Sequence, residues 1–138
     1  MNWKIEDSIE TVHNYIGEDN IIRKGAISCK KGEKVIIPIN MAYGTFLATG
    51  KGNADWNNSG PHGAGRVLSR TRAKEQLSMN KYKESMKGVH SCCICRGTLD
   101  ESPMAYKPME EIVRLIEPTV EILYFVRPKI NIKATDAE

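Results

Sequence analysis

No apolar run among the 138 residues approaches the ~18 that a membrane-spanning helix needs. The N-terminus lacks the basic, apolar and small-residue zones of a secretory signal. A cytoplasmic chain is therefore expected, with its four cysteines at 29, 92, 93 and 95 kept reduced. No second cysteine pair with zinc-finger spacing accompanies the string His90-Ser-Cys-Cys-Ile-Cys95. That string reads as a ligand cluster or as a strand interior with small buried thiols, and adjacent cysteines pointing to opposite sides favour the strand. Internal repeats and low-complexity blocks are absent as well. So is a P-loop: five residues separate Gly44 from Gly50-Lys51, and Gly52 stands where a hydroxyl residue belongs. The segment from Gly60 to Gly65 lacks the third glycine of a dinucleotide fingerprint and is not expected to follow directly on a strand.

What is present suits one globular domain with a real core: 41% apolar and 27% charged residues. The net charge of +3 is unevenly spread. Residues 1–60 carry seven basic and seven acidic groups, residues 61–90 seven against two, and residues 91–138 six against eight. The positive excess follows directly on a glycine-rich stretch. Such placement suits a phosphate or RNA partner, and a solvated basic helix face is the plainer alternative.

The spacing of Ile5, Ile9, Val12 and Ile16 predicts a helix over 5–15, with Asp7 or Ser8 as its N-cap. Strands follow over 21–29 and 34–39, joined by Lys30-Lys31-Gly32-Glu33, then a third over 45–49. Residues 50–65, rich in glycine and asparagine, read as a long irregular segment of the kind that carries function. A helix over 67–86, broken near Asn80, precedes a strand over 89–95, a loop over 103–108, a helix from Met109 to Pro118 and a strong strand over 120–126. The fold class is α+β, a mixed sheet with packed helices and no regular βαβ alternation.

The most informative stretch is Pro61-His62-Gly63-Ala64-Gly65-Arg66. Glycines on either side of Ala64 let backbone approach a ligand closely. A helix starting near Val67 would aim its free N–H groups at an anion here, and Arg66, Arg70 and Arg72 add guanidinium forks that match phosphate. A neutral imidazole beside such a nest can attack phosphorus and hold the transferred group as a phosphoramidate. His62 is therefore the candidate nucleophile.

The chain resembles the C-terminal part of the RtcB family of GTP-dependent RNA-splicing ligases. The likeness rests on HNYI at 13–16, RKGA at 23–26, IIPINM at 36–41, GKGN at 50–53, PHGAGRVLSR at 61–70, LDESPMAYKP at 99–108 and NIKA at 131–134. It implies the fold of the family's C-terminal half over residues 1–134, with residues 135–138 a frayed tail. It also implies ligation of an RNA 3′-phosphate or 2′,3′-cyclic phosphate to a 5′-hydroxyl through a histidine–guanylate, with GTP and manganese. By that resemblance His62 carries the guanylyl group, Gly63, Ala64 and Gly65 line the nucleotide, His13 binds manganese, and Asn14 lies beside the guanylate. Pro38, Ile39, Asn40 and Met41 match a nucleotide loop, Thr45 a nearby contact, Tyr106 the tyrosine packed by the guanine, and Lys133 a lysine that meets the nucleotide.

Departures accompany the matches. Full-length members are expected to be roughly three times longer, with most metal ligands N-terminal to the HNY block. Only three histidines are present here, His13, His62 and His90. Gly60 replaces the usual alanine, and the cysteines of 92–95 are unusual. Three classes follow: a ligase segment working with an N-terminal half, an inactive nucleotide- or RNA-binding module, or a structural or oligomeric remnant. Surface left by a missing half predicts association, including homo-oligomers.

Overall fold

Asn14 and Asn20 both take positive φ, at 60° and 57°, and between them the chain turns back on itself instead of coiling. The structure, a computed structural model, describes residues 8–12 and 14–133. Over 8–12 the backbone is irregular, and β1 (Tyr15–Ile16) pairs antiparallel with β2 (Ile22–Arg23). The helix expected over 5–15 is therefore absent from its described residues; residues 1–7 and 13 lie outside them. A left-handed Asn14 cannot continue a helix, and two of its periodic residues, Val12 and Ile16, are exposed.

The run expected as one strand over 21–29 is two. After β2 the chain bends at Lys24-Gly25 before β3 (Ala26–Ser28). Arg23, 2% exposed, ties this region together. Its guanidinium donates to both carboxylate oxygens of Asp19 (3.0 and 2.7 Å) and its Nε to Ser59 Oγ (3.0 Å), while its cation lies 5.9 Å from the Tyr15 ring. The hydrogen bond from Arg23 holds the Asp19 carboxyl well below the usual carboxylate range.

β4 (Lys34–Asn40) and β5 (Gly44–Gly50) alternate as a half-buried hairpin should, with Val35, Ile37 and Ile39 inward on β4 and Phe46 and Ala48 on β5. The segment after β5 is less irregular than expected. It contains a 3-10 turn at Ala54–Trp56 and β6 (Ser59–Pro61), which pairs antiparallel with β3 through Ala26↔Pro61, Ile27↔Gly60 and Ser28↔Ser59. The glycine turn at 62–65 thus does follow a strand, although a helix does not follow it at once.

That helix, α1 (Arg70–Gln76), starts later than expected. Val67 and Leu68 N–H both donate to Ala105 O, and Ser69 Oγ caps the helix by accepting from Arg72 N–H. α2 (Met79–Ser85) follows an extended Leu77-Ser78 link, so the break precedes Asn80. Residues 89–95 do not form a strand; only a bridge between His90 and Ile130 is present. The Thr98 hydroxyl donates to Cys93 O and accepts from Cys95 N–H, competing with any ladder. Within the expected loop 103–108, residues Pro103–Ala105 form a 3-10 turn.

α3 (Met109–Ile116) carries Glu110 and Glu111 in its first turn and Arg114 in its last, matching its dipole. Its buried Ile112 and Ile116 join the main core with Ile27, Val35, Ile37 and Phe46, each contributing roughly 1.5–3 kcal/mol of gross burial. β7 (Val120–Val126) completes an antiparallel sheet in the order β4-β5-β7, with Phe46 and Phe125 rings 5.0 Å apart. A second core gathers Met41, Tyr82, Met86 and Leu99. Helices and antiparallel sheets together make the expected α+β class. Among the described residues no helix is long and apolar enough to cross a membrane.

Candidate functional site

Each successive part of the glycine turn hangs on a different neighbour. His62 N–H donates to Gly25 O (3.1 Å), Ala64 N–H to Pro38 O (3.1 Å), and Gly65 O accepts from Lys107 N–H (3.1 Å). Pro38 sits on β4, an edge strand, where its missing N–H costs no ladder bond and its carbonyl is left to hold Ala64. Gly65 has φ +73°, a conformation that lets the chain leave the turn toward Arg66 without a Cβ clash.

This turn forms one wall of a cavity of about 490 Å³. Pro38, Ile39, Asn40 and Met41 at the end of β4 form another wall, with Thr45 at the start of β5. Tyr106 and Lys133 arrive from distant parts of the chain. All of these were expected at a nucleotide site, and the structure brings them to one place with His62, Gly63, Ala64 and Gly65. Asn14 does not line the cavity; its Oδ1 accepts from Gly25 N–H (3.2 Å), which does. His13 lies outside the described residues, so its metal role has no structural account. Among the described residues no group of three His, Cys, Asp or Glu side chains is arranged to hold a metal ion.

The charged lining comprises Arg66, Arg70 and Lys133 against Glu101, a cationic balance. Sequence reasoning passed over Glu101, although it falls within the LDESPMAYKP block. Its carboxylate accepts from Tyr106 Oη (2.7 Å) and Lys133 Nζ (3.1 Å), and it lies 3.2 Å from Arg70 Nη1 and 3.4 Å from Arg66 Nη1. Burial raises its pKa, yet hydrogen bonds from Tyr106 and Lys133 and the nearby cations outweigh burial and lower it overall. Tyr106 responds oppositely: burial and its hydrogen bond to the Glu101 carboxylate push its phenol up to about 12.

Arg66 is largely committed to structure. Its guanidinium lies 5.2 Å from the centre of the Tyr106 ring and donates to Leu68 O (3.1 Å) and Asp100 O (2.6 Å). Arg70 is the more available of the two, with its side chain 72% exposed despite an ion pair to buried Asp100 (2.9 Å). Arg72 is exposed and does not line the cavity. Lys133 is held by its backbone: Cys93 Sγ donates to Lys133 O (3.1 Å) and accepts from Lys133 N–H (3.4 Å). The cysteine string thus serves the site through positioning. Asn131, also unforeseen, lines the cavity, and its buried Oδ1 makes no hydrogen bond among the described residues.

The chemistry open to this cavity is that of an anion bound beside an imidazole, with guanidinium and ammonium donors from Arg70 and Lys133. The chain is 34% identical over 134 residues to the RNA-splicing ligase RtcB of Escherichia coli strain K12, a match taking in 92% of this chain and 33% of that protein. It is 37% identical over 94 residues to the tRNA-splicing ligase RtcB of Nanoarchaeum equitans, covering 62% of this chain and 19% of that one. The tRNA-splicing ligase RtcB of Aeropyrum pernix is 35% identical over 89 residues, 61% of this chain and 18% of that one. The chain spans about a third of the length of the Escherichia coli relative. The model of the tRNA-splicing ligase RtcB family matches residues 1–134, and the chain belongs to the RtcB family.

Proposed function

We propose that residues 1–134 form one catalytic segment, the C-terminal part, of a cytoplasmic GTP-dependent RNA ligase. It would join RNA 3′-phosphate or 2′,3′-cyclic phosphate ends to 5′-hydroxyl ends through a histidine–guanylate. The observation that carries this reading is the convergence on one cavity of His62, the glycine turn, the end of β4, Tyr106 and Lys133. Concave sites that gather polar and charged groups from distant parts of a chain are where ligands bind.

A neutral imidazole nitrogen of His62 attacks the α-phosphorus of GTP. A P–N bond forms while the bond to the pyrophosphate oxygen breaks, and pyrophosphate leaves with the electron pair. An RNA 3′-phosphate oxygen then attacks the same phosphorus, freeing the imidazole. The 5′-hydroxyl oxygen loses its proton, attacks the 3′-phosphate and displaces GMP. A cyclic phosphate is opened by water beforehand. Charge developing on phosphoryl oxygens is met by Lys133 and Arg70.

The GTP reading fits the cationic lining; manganese finds no set of three donors among the described residues. The metal set and the activity as a whole are accordingly proposed to need the ligase sequence that makes up the remaining two thirds of the relatives. Exposed Leu123, Tyr124 and Val126 on β7, with Ile130 and Ile132, offer apolar surface to that sequence or to a second copy.

Incubation with α-labelled GTP and manganese, with and without a supplied N-terminal half, followed by a denaturing gel, tests the reading. The expected result is a covalent adduct that disappears in His62→Ala. Binding of GTP with no adduct in either mixture would instead support an inactive nucleotide-binding module, and no binding a structural remnant.

A further inference from the structure

A second trough of about 500 Å³ adjoins the His62 cavity, and Asn40 and Tyr106 belong to the walls of both. Tyr43 supplies an exposed aromatic ring to this trough, half-buried Phe125 a second ring packed on Phe46, and Lys107 and Arg127 supply cations. Tyr43 is held in place by its backbone. It sits in the β4–β5 turn, where Asn40 Oδ1 accepts from the N–H groups of both Ala42 (3.1 Å) and Tyr43 (2.9 Å), and it is 55% exposed. An aromatic side chain on a fixed turn with more than half its surface in water contributes little to the core. Lys107 is engaged by Glu111 (3.1 Å), and Glu110 adds one acidic group to the wall. Arg127 is exposed, and no ion pair or hydrogen bond of its side chain is found among the described residues.

An exposed aromatic ring beside cations suits single-stranded nucleic acid, whose bases stack on rings while phosphates meet the charges. Both classes of side chain are present, and the trough leads into a cavity whose Arg70 and Lys133 can take a terminal phosphate. We infer that the trough of Tyr43, Phe125, Lys107 and Arg127 is the channel for single-stranded RNA ending in a 3′-phosphate, with the terminal phosphate in the His62 cavity and the preceding bases on Tyr43. This rests on the ligase reading for its substrate. It assigns the strand a path that neither the PHGAGR turn nor the nucleotide residues specify.

Fluorescence anisotropy with a 5′-labelled, 3′-phosphorylated single-stranded RNA of about ten nucleotides, a length within the usual single-strand site sizes, provides the test. The full chain, Tyr43→Ser, Tyr43→Phe and Arg127→Gln are compared over a salt series. Tyr43→Ser is expected to weaken binding roughly 5- to 150-fold, the range for loss of one base stack, and Tyr43→Phe to restore it. Arg127→Gln is expected to lower the slope of log affinity against log salt by about 0.7, one phosphate contact on a single strand. Removal of the 3′-phosphate from the RNA is expected to weaken binding to the unsubstituted chain.

Equal RNA affinity for the unsubstituted chain, Tyr43→Ser and Arg127→Gln would overturn the channel. So would equal affinity for the 3′-phosphate and 3′-hydroxyl strands, or no RNA binding at all. The guanylylation gel separates the two readings. A chain that forms the adduct but binds RNA independently of Tyr43 loses the channel and keeps the ligase reading. One that binds RNA through Tyr43 but forms no adduct keeps the channel and loses the ligase reading.

Discussion

Glu101 links Tyr106, Lys133, Arg66 and Arg70 through one carboxylate. Replacing it with glutamine keeps the shape and removes the charge, so three cations lose their common counter-ion. Glu101→Gln is expected to cost about 1–3 kcal/mol at neutral pH, the range for charge-assisted bonds left unmade, measured by chemical denaturation. The sign with pH follows from a lowered pKa. The contribution is complete above the ordinary glutamate value, about 4.3, and is lost as pH falls through the lower folded value. The chain and its Glu101→Gln variant should therefore converge in stability in acid. At the alkaline end, Tyr106 stays protonated until about pH 12, so stability falls as pH rises from the ordinary tyrosine value of about 10. In Glu101→Gln the Tyr106 contribution to a tyrosinate absorbance titration should move toward pH 10, and Tyr106→Phe should remove one tyrosinate from its high-pH end, where buried Tyr82 is also raised. The site residues in contiguous blocks, His62 to Gly65 and Pro38 to Met41, were legible because a short motif carries them. Glu101 and Asn131 were not, because an isolated carboxylate or amide in a sequence gives no sign of the partners that folding brings to it.

At the scale of elements, the seam between β3 and β6 is set by a small residue against a thiol. A Cβ on Gly60 would stand 2.5 Å from Cys29 Sγ, and Cys29 is fully buried with its thiol pushed up to about 12 by burial. Gly60→Ala is expected to destabilise by about 1–3 kcal/mol through overpacking. Cys29→Ala on the same chain should return part of that loss, giving a coupling of roughly 0.5–3 kcal/mol in a double-mutant cycle. Strict additivity in thermal or denaturant unfolding would show that the two side chains do not compete for space. Strands with clear alternation, β4 and β5, were readable, as was α3 from Met109, Ile112, Val113 and Ile116. The elements that misled did so for local reasons. Asn14 at positive φ stopped a periodic helix, the Ala105 carbonyl claimed the amides of Val67 and Leu68, and the Thr98 hydroxyl drew Cys93 and Cys95 out of a strand. Hydrophobic period and β-propensity do not register such side-chain and carbonyl bonds.

Across the whole molecule, a chain spanning about a third of the length of the Escherichia coli relative carries a cavity whose walls come from β4, β5, the glycine turn, the 99–106 segment and the chain near Lys133. The turn at 62–65 is glycine-rich yet tethered to β4, to Gly25 beside β3 and to Lys107. A free loop of this composition would exchange its amide hydrogens for deuterium almost at the rate of an unstructured peptide. The amides of His62 and Ala64 should instead exchange as slowly as their neighbours on β3 and β4, because each opens only when the segment holding its acceptor does. Residue-resolved exchange that is fast at both amides would refute this. Slow exchange has a thermodynamic meaning for whatever binds here: the entropy of fixing the turn is lost when the chain folds, and an arriving ligand need not lose it again.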